Sequence, residues 1–396
     1  MKIGILREEK LPEDHRVVLT PNQCKWIIDN TELEVVVRTS NVRCFTDDEY
    51  RELGVPLVDD LSNCDVLIGV KEVPIDNLIE NKTYFYFSHT IKGQSYNMSL
   101  LQRMLDLNIK MIDYEVLKDE KGKRLIGFGY YAGIVGAYNA FITYGLKSHK
   151  FSLKPANKCN NAAEMFNELD KIDLSNERIL ITGNGKVASG AIEILNKAGI
   201  KQVSKDDFLN ASYDYPVYCN ISTMDYMERI DNLRSSKKDF YSNPDKYKSC
   251  FMKFAVSTDI FIAGHFYSEG SPYLFTRDQV RSDDFNIKVV ADISCDIDGP
   301  VACTIRSSTI ENPFYGYNPI TEKEDDMYLD HVVAVMAVSN LPCELPKDSS
   351  TDFGQVFIDK ILFHLLDGDK TDVLKKATIC ENGDLNDSFE YLNQYL

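Results

Sequence analysis

Residues 178–199, RILITGNGKVASGAIEILNKAG, constrain the fold more than any other part of the chain. An apolar strand leads into a glycine turn and then a helix that ends in glycine, the layout of an α/β unit. Within the turn, Gly183 permits a tight bend, Gly185 lets the backbone approach a phosphate, and Ala188 brings helix against strand. The pattern predicts a dinucleotide-binding turn. A packing turn without a nucleotide is the alternative.

The segment after this helix bears on the choice of nucleotide. An acidic residue is expected about 20 positions after the turn, where it would bind the ribose 2′-hydroxyl, and Asp206 lies there. Lys205 beside it favours a 2′-phosphate instead, and a capping box between Ser204 and Asp207 explains the segment equally well. The choice between NAD and NADP therefore stays open. The predicted cofactor ligands are Gly183, Gly185, Lys186, Val187, Ala188, Asp206 and His265, the last because it follows the apolar strand TDIFIAG.

Short apolar strands alternate with helical segments along most of the chain. The strands predicted before the glycine turn are KIGIL (2–6), LEVVVRT (33–39), DVLIGV (65–70), TYFYFS (83–88) and KMIDYEV (110–116). Further strands are expected at 215–221, 258–265 and 287–294. This alternation is typical of parallel, doubly wound sheets. We therefore predict an α/β fold with two such units.

The domain organisation is predicted from two apolar segments. Residues 129–146 and 328–340 are expected to form two long helices, a spine at which the chain crosses between domains and returns. We therefore assign residues 1–128 and 319–396 to a substrate and catalytic domain. Residues 129–318 are assigned to a dinucleotide-binding domain.

Two titratable residues follow neighbouring strands of the first domain. Lys71 comes directly after DVLIGV, and His89 comes directly after TYFYFS. Open α/β sheets bind their ligands at the carboxyl ends of the strands. An imidazole exchanges protons near neutral pH, and so does a lysine whose pKa its surroundings lower. The pair suits proton transfer to and from a carbinolamine and an imine, although solvated strand ends remain the simpler alternative.

Further charged residues near these strand ends are candidate substrate ligands. Arg16, Lys92 and Arg124 would bind carboxylates, and arginine offers a two-pronged donor. Glu72 and Glu115 would raise the pKa values of the lysine and the histidine.

The composition excludes several classes of function. A net charge of −17 argues against a nucleic-acid surface, and no apolar run approaches the roughly 18 residues of a membrane helix. The first residues, MKIGILREEK, do not read as a secretory leader, and none of the ten cysteines forms a CxxC pair or metal-ligand spacing with a histidine. We expect reduced thiols, a cytoplasmic location and no metal site.

Several motifs resemble one enzyme family over nearly the whole chain. They are RVVLTP (16–21), GVKEVP (69–74), FSHTIKGQ (87–94), IDYE (112–115), KRLIGFGYYAGIVG (123–136), the glycine turn, ADISCD (291–296), STIENPF (308–314) and NLPCELPKDSS (340–350). Together they resemble the lysine-forming saccharopine dehydrogenases and the lysine–2-oxoglutarate reductases, within the alanine dehydrogenase/transhydrogenase superfamily.

The resemblance implies two Rossmann-like domains around a central cleft and an NAD or NADP cofactor. Lys71 and His89 match the acid–base pair of the family, and Asp292 matches its aspartate near the nicotinamide. Arg16, Lys92, Glu115 and Arg124 match its substrate region. The implied reaction interconverts saccharopine with lysine and 2-oxoglutarate, so the partners are a small amino acid and keto acid. A homo-oligomer is an open possibility.

Two other functions are compatible with parts of the sequence. The first is an amino-acid dehydrogenase of the alanine type, which RVVLTP and NLPCELPKDSS also suit. The second is a catalytically silent metabolite-binding protein, against which the retention of Lys71, His89 and the glycine turn argues.

Overall fold

The computed structural model describes residues 1–268 and 270–396. The chain divides into two compact units, the first formed by Met1–Phe128 with Pro346–Leu396 and the second by Gly129–Leu345. Each unit contains an eight-stranded sheet that is mostly parallel and is flanked by helices. The predicted α/β class, with two doubly wound parallel sheets, is confirmed.

The sheet of the first unit places three strand ends side by side. Its strands are β1 (Lys2–Ile5), β2 (Glu34–Arg38), β3 (Leu57–Val58), β4 (Val66–Lys71), β5 (Thr83–Phe87), β6 (Lys110–Asp113), β17 (Thr378–Glu381) and β18 (Asp384–Leu385). Their order across the sheet is β18-β17-β6-β5-β4-β1-β2-β3. Strands β1 to β6 are parallel, and β17 runs antiparallel to β6. The carboxyl ends of β4, β5 and β6 therefore lie at one edge.

Helices from both ends of the chain cover this sheet. They are α1 (Pro21–Asn30), α2 (Asp47–Glu52), α3 (Ser95–Asp106), α12 (Pro346–Phe357), α13 (Phe363–Leu366) and α14 (Val373–Ala377). Phe353 of α12 stacks on Phe128 with ring centroids 4.4 Å apart, and it also packs against Phe87 and Tyr114. The C-terminal segment thus completes the aromatic core beneath the ends of β5 and β6.

The sheet of the second unit centres on the strand before the glycine turn. Its strands are β7 (Arg178–Thr182), β8 (Lys201–Gln202), β9 (Val217–Ile221), β12 (Ile260–Ala263), β13 (Val289–Asp292), β14 (Phe314–Asn318), β15 (Lys323–Asp325) and β16 (Val333–Met336). The order is β15-β14-β16-β13-β12-β7-β9-β8. A separate hairpin joins β10 (Met227–Arg229) and β11 (Tyr247–Ser249). Strand β7 therefore lies between β12 and β9.

The helices of the second unit include one long buried helix. They are α4 (Gly129–Ser148), α5 (Ala162–Glu168), α6 (Lys186–Lys197), α7 (Lys205–Asn210), α8 (Thr223–Tyr226), α9 (Lys237–Ser242), α10 (Met252–Ala255) and α11 (Arg277–Val280). Helices α4 and α6 approach closely: a Cβ on Gly133 would lie 1.9 Å from the Val187 carbonyl oxygen. Glycine at that position lets α4 pack directly against the helix that opens at the glycine turn.

The predicted second long helix is wrong, and with it the spine of two helices. Residues 328–340 contain the strand β16 (Val333–Met336), which lies between β13 and β14. Residues 332–338 are all buried. A run of buried residues rich in valine suits a strand covered on both faces, and a short apolar run does not by itself distinguish strand from helix.

The predicted domain boundary at residue 319 must be moved for the same reason. Because β16 is hydrogen-bonded into the second sheet, residues 319–345 belong to the second unit. The chain enters the second unit between Phe128 and Gly129 and leaves it between Leu345 and Pro346.

No helix within the described residues has the length and apolarity needed to cross a membrane. In the same part of the chain, no cluster of histidine, cysteine, aspartate and glutamate has the arrangement of a metal site.

Candidate active site

Lys71 is the last residue of β4, and its position is held by a carboxylate from the segment after β1. The backbone N–H groups of Val70 and Lys71 donate to the two carboxylate oxygens of Glu8, at 2.7 and 2.8 Å. Burial and the nearby Asp14 carboxylate raise the pKa of Glu8 to about 8. Glu8 therefore exchanges a proton near neutral pH directly beside the β4 terminus. No pattern in the sequence pointed to this residue, because its partners lie 62 and 63 positions away.

Asp113, the last residue of β6, links the ends of β5 and β6. Its Oδ2 accepts hydrogen bonds from the backbone N–H and the hydroxyl of Ser88, and its Oδ1 accepts from the backbone N–H of Glu115 at 2.7 Å. Asp113 is completely buried, and burial raises its pKa. One buried carboxyl group thus sets the positions of Ser88, which precedes His89, and of Glu115. No sequence pattern pointed to Asp113, because Ser88 lies 25 positions away.

His89 lies next to Glu115, as the strand pattern predicts. Its Nδ1 is 3.5 Å from Oε2 of Glu115, and its ring stacks on Phe87. The backbone of His89 has a φ of +56°, and its carbonyl oxygen accepts from the Asn97 side chain at 3.2 Å. Phe87 is also the register partner of Lys71 across β4 and β5. Lys71 and His89 therefore occupy adjoining strand ends.

The two predicted cations Lys92 and Arg124 surround Glu115. The neighbouring His89 side chain lowers the pKa of Glu115, and the charges of Lys92 and Arg124 add to this effect. The Arg124 guanidinium lies 5.3 Å from the centre of the Phe87 ring and donates to the Ile126 carbonyl oxygen at 3.0 Å. The site thus combines an ionised carboxylate with more than one cation.

Arg16 is placed differently from the prediction of an available carboxylate binder. It is 3% exposed, and its guanidinium donates to both carboxylate oxygens of Asp14, at 2.9 and 2.6 Å. The same guanidinium lies 4.1 Å from the centre of the Phe128 ring. Arg16 holds the pKa of Asp14 below its usual range. Two of its N–H groups are therefore already used within the protein.

Glu72 also has a partner, Lys10, with which it forms an ion pair. Glu72 was expected to raise the pKa of the neighbouring Lys71. In the structure the charge of the Glu72 carboxylate is balanced by Lys10.

The glycine turn of the second unit has the shape that a diphosphate requires. Gly183 has a φ of +102°, and a Cβ there would lie 2.4 Å from the Gly264 carbonyl oxygen, so glycine is required. Gly185 precedes α6 without a side-chain cap, and a Cβ there would meet nothing within 4 Å. The first N–H groups of α6, beginning with Lys186, Val187 and Ala188, thus lie beside open space, where helix termini bind phosphate. The turn fits a dinucleotide.

His265 lies beneath this turn and is neutral at pH 7. Burial lowers its pKa to about 4, and its Nδ1 is hydrogen-bonded to the Thr182 hydroxyl at 2.9 Å. Its Nε2 is buried and has no hydrogen-bond partner among the described residues. His265 directly follows Gly264, and a Cβ on Gly183 would lie 2.4 Å from the Gly264 carbonyl oxygen and 3.1 Å from the His265 backbone nitrogen.

Asp206 and Asp292 have surroundings that the sequence did not reveal. Asp206 is exposed in the first turn of α7, whose N-cap is Ser204, with Asp207 completing the cap. Asp292 is fully buried, and it accepts hydrogen bonds from Ser294, Cys295 and Thr304. Its carboxylate thus organises the loop that follows β13.

Comparison with known proteins agrees with this architecture. Residues 4–135 match the family model of the alanine dehydrogenase/PNT N-terminal domain. The chain is 28% identical to an alpha-aminoadipic semialdehyde synthase of Arabidopsis thaliana, covering 98% of this chain and 41% of that protein. It is 25% identical to a saccharopine dehydrogenase [NAD(+), L-lysine-forming] of Yarrowia lipolytica, covering 90% of each. An L-alanine dehydrogenase structure is similar in fold, with a TM-score of 0.64, 15% identity and coverage of 100% of this chain and 99% of that one.

The amino-terminal part of the chain is thus similar to the alanine dehydrogenase/PNT N-terminal domain. Over most of its length the chain is also similar to alpha-aminoadipic semialdehyde synthases and saccharopine dehydrogenases. It spans less than half the length of the alpha-aminoadipic semialdehyde synthases that it matches, 41% of the plant protein and 47% of the rat protein.

Proposed function

We propose that this chain is an NAD(P)-dependent oxidoreductase that acts on CH–NH bonds and interconverts saccharopine with lysine and 2-oxoglutarate. The observation that carries the proposal is the group of titratable side chains at the ends of β4, β5 and β6: Lys71, His89 and Glu115, held by Glu8 and Asp113. The similarity to saccharopine dehydrogenases supports the same reaction.

Lys71 and His89 are proposed to transfer the protons that the reaction requires. Condensation of an amine with a keto group forms a carbinolamine and then an imine, and each step moves a proton to or from oxygen or nitrogen. The imidazole of His89 is suited to this transfer, and Oε2 of Glu115 lies 3.5 Å from its Nδ1. Glu8, with a pKa raised to about 8, supplies a further exchangeable proton beside Lys71.

The cations near Glu115 are proposed to bind the carboxylates of the substrate. Lys92 and Arg124 are the better candidates, because two donors of Arg16 are bound to Asp14. Arg16 then orders the segment before α1 and contributes its charge over a distance. A substrate with several carboxylates explains why a chain with a net charge of −17 gathers cations at these strand ends.

NAD(P)H, when bound, supplies the hydride that reduces the imine. Gly183 and Gly185 would leave room for its diphosphate, and the N–H groups at the start of α6 would hold the phosphate oxygens. His265 supports the turn from below in its neutral form, and Asp292 orders the loop after β13.

The proposal includes small-molecule partners and a reducing compartment such as the cytoplasm.

The test combines nucleotide binding with turnover. Wild type is titrated with NADH and NADPH by fluorescence and then assayed with lysine and 2-oxoglutarate. Lys71→Met is expected to lower turnover at least about a hundredfold, since a positioned acid–base group contributes about 10²–10⁴, with nucleotide affinity unchanged. The matched control is Lys25→Met, an exposed lysine of α1 in the same unit, which retains activity. Unchanged turnover in Lys71→Met would remove that lysine from the mechanism. Faster turnover of alanine with NAD would favour the alanine-type function.

A further inference from the structure

The strand beside β7 is not the strand that the usual dinucleotide-binding order places there. In that order the strand after the phosphate-binding helix lies next to the first strand, and the acidic residue that binds the ribose follows it. Here β8 follows α6 but lies at the edge of the sheet, and β9 occupies the position next to β7. The ribose contact should therefore be sought at the end of β9.

The end of β9 is tied directly to the glycine turn. The Gly183 backbone N–H donates to the Ile221 carbonyl oxygen at 3.0 Å, and the Asn220 side chain donates to the Gly183 carbonyl oxygen at 2.9 Å. Ser222 is the next residue after this contact. The segment that begins at Ser222 thus starts beside the first glycine of the turn.

A charged pair lies in this segment. The Asp225 carboxylate accepts from the backbone N–H of Ser222 at 2.8 Å and from its hydroxyl at 2.7 Å. Its other oxygen accepts from the Lys205 ammonium group at 2.8 Å. The Asp225 side chain is 20% exposed and that of Lys205 is 54% exposed. The carboxylate is therefore fixed, while the ammonium group can exchange one partner for another.

Asp206, the residue selected by sequence spacing, is less well placed. It lies on α7, which follows the edge strand β8, and neighbouring strands are about 4.8 Å apart. An acid directly after β8 is thus roughly 10 Å from the line of β7, against about 5 Å for one after β9. Lys205 overcomes this distance only because its side chain is long enough to reach Asp225.

We infer that the 2′ group of the adenosine ribose is recognised by Asp225 and Lys205 at the end of β9, and not by Asp206. This inference rests on the proposed function, because it needs a dinucleotide at the glycine turn. A 2′-hydroxyl donates to Asp225 while Lys205 remains its counter-ion. A 2′-phosphate binds Lys205 instead and is repelled by the Asp225 carboxylate. The pair thereby sets the ratio of NADH to NADPH affinity.

Fluorescence titration of the full chain with NADH and with NADPH tests the inference in wild type and three variants. Lys205→Met is expected to weaken NADPH relative to NADH by about tenfold, the effect of one charge-assisted hydrogen bond. Asp225→Asn is expected to strengthen NADPH relative to NADH by a similar factor, and its amide oxygen still accepts from the Ser222 N–H. Asp206→Asn is the matched control on the same helix as Lys205, and it leaves the ratio within twofold.

The outcomes separate the inference from the proposed function. Wild type that binds neither nucleotide would overturn the proposed function, and this inference would go with it. Wild type that binds, with a ratio that Lys205→Met and Asp225→Asn leave within twofold, would overturn the inference alone. A ratio that shifts in Asp206→Asn would return the contact to the residue chosen by spacing. Thermal melts of each variant verify that the compared proteins are folded.

Discussion

At the ends of β4, β5 and β6 in the first unit, titratable side chains are held close to one another, whereas at the ends of β7 and β12 in the second unit the chain presents glycine, backbone and a neutral histidine. In the first unit, Glu8 has a pKa raised to about 8. The pKa of Glu115, which lies next to His89, is lowered, so its carboxylate carries a charge. His265, in contrast, has a pKa lowered to about 4 by burial.

The comparison shows two uses of one architecture. Both sheets are mostly parallel and direct their strand ends to one edge. In the proposed function, the first unit uses that edge for proton transfer, which requires charged groups that remain partly hydrated. In the same proposal, the second unit uses it to bring backbone N–H groups close to a nucleotide, which requires the absence of side chains. Variants at the two edges should therefore affect different measurements.

The largest effect is expected for His89→Asn. Asparagine tolerates the positive φ of this position, so the fold is retained while the proton-transferring imidazole is lost. Turnover of lysine and 2-oxoglutarate should fall by about 10²–10⁴-fold with nucleotide affinity unchanged. His149→Asn is the matched control, because His149 is exposed and has a similar φ of +55°. Turnover within threefold of wild type would show that the first edge does not transfer protons through His89.

A smaller loss is expected for Asp113→Asn. The carboxylate accepts three hydrogen bonds that an amide, with one acceptor oxygen, cannot all keep. The free energy of unfolding should fall by about 1.5–3 kcal/mol, and turnover should fall because Ser88 and Glu115 lose their common anchor. Denaturant unfolding and a steady-state assay measure the two effects, with the exposed Asp106→Asn as control. Loss of stability with undiminished turnover would separate Asp113 from the site.

Gly183→Ala and Gly185→Ala test separately how the glycine turn contributes to stability and to nucleotide binding. Alanine at 183 has a φ of +102° and a Cβ 2.4 Å from a carbonyl oxygen, so we expect a loss of stability of about 1–3 kcal/mol together with weaker nucleotide binding. Alanine at 185 meets no neighbour and should leave the melting temperature unchanged while weakening the nucleotide. Calorimetry and fluorescence titration measure these effects. Unchanged NADH and NADPH affinity in Gly185→Ala would show that the diphosphate binds elsewhere.

The smallest effect concerns the pH dependence of stability. His265 has a pKa of about 4 in the folded chain and an ordinary value of 6.5, so the unfolded chain binds more protons between these values. The folded state is fully stabilised above pH 6.5 and loses this contribution as the pH falls toward 4. Compared with His265→Gln, wild type should lose about 2 kcal/mol more between pH 7 and pH 5. Identical pH profiles of the two proteins would show that the histidine is hydrated when folded.

The structural elements that carry a clear local sequence pattern were predicted well. The glycine turn, the ends of β4 and β5 and the start of α1 at Pro21 all follow from local rules of turn chemistry, strand length and helix capping. Residues 328–340 failed because a continuous apolar run carries no period that distinguishes a buried strand from a helix. Glu8 and Asp113 were missed because their partners, the β4 backbone and Ser88, are 62 and 25 residues away in sequence.

The sequence by itself determined the α/β class, the two sheets, the glycine turn before α6 and the presence of a lysine and a histidine at the ends of neighbouring strands. Each depends on residues within one strand, one turn or one helix. Only the tertiary structure decided that β9 lies beside β7, that β16 joins the second sheet, and that Glu8 accepts hydrogen bonds from the end of β4. Strand order and these hydrogen bonds depend on which distant segments are brought together in space. That information is absent from local spacing, because several arrangements bury the same apolar residues equally well.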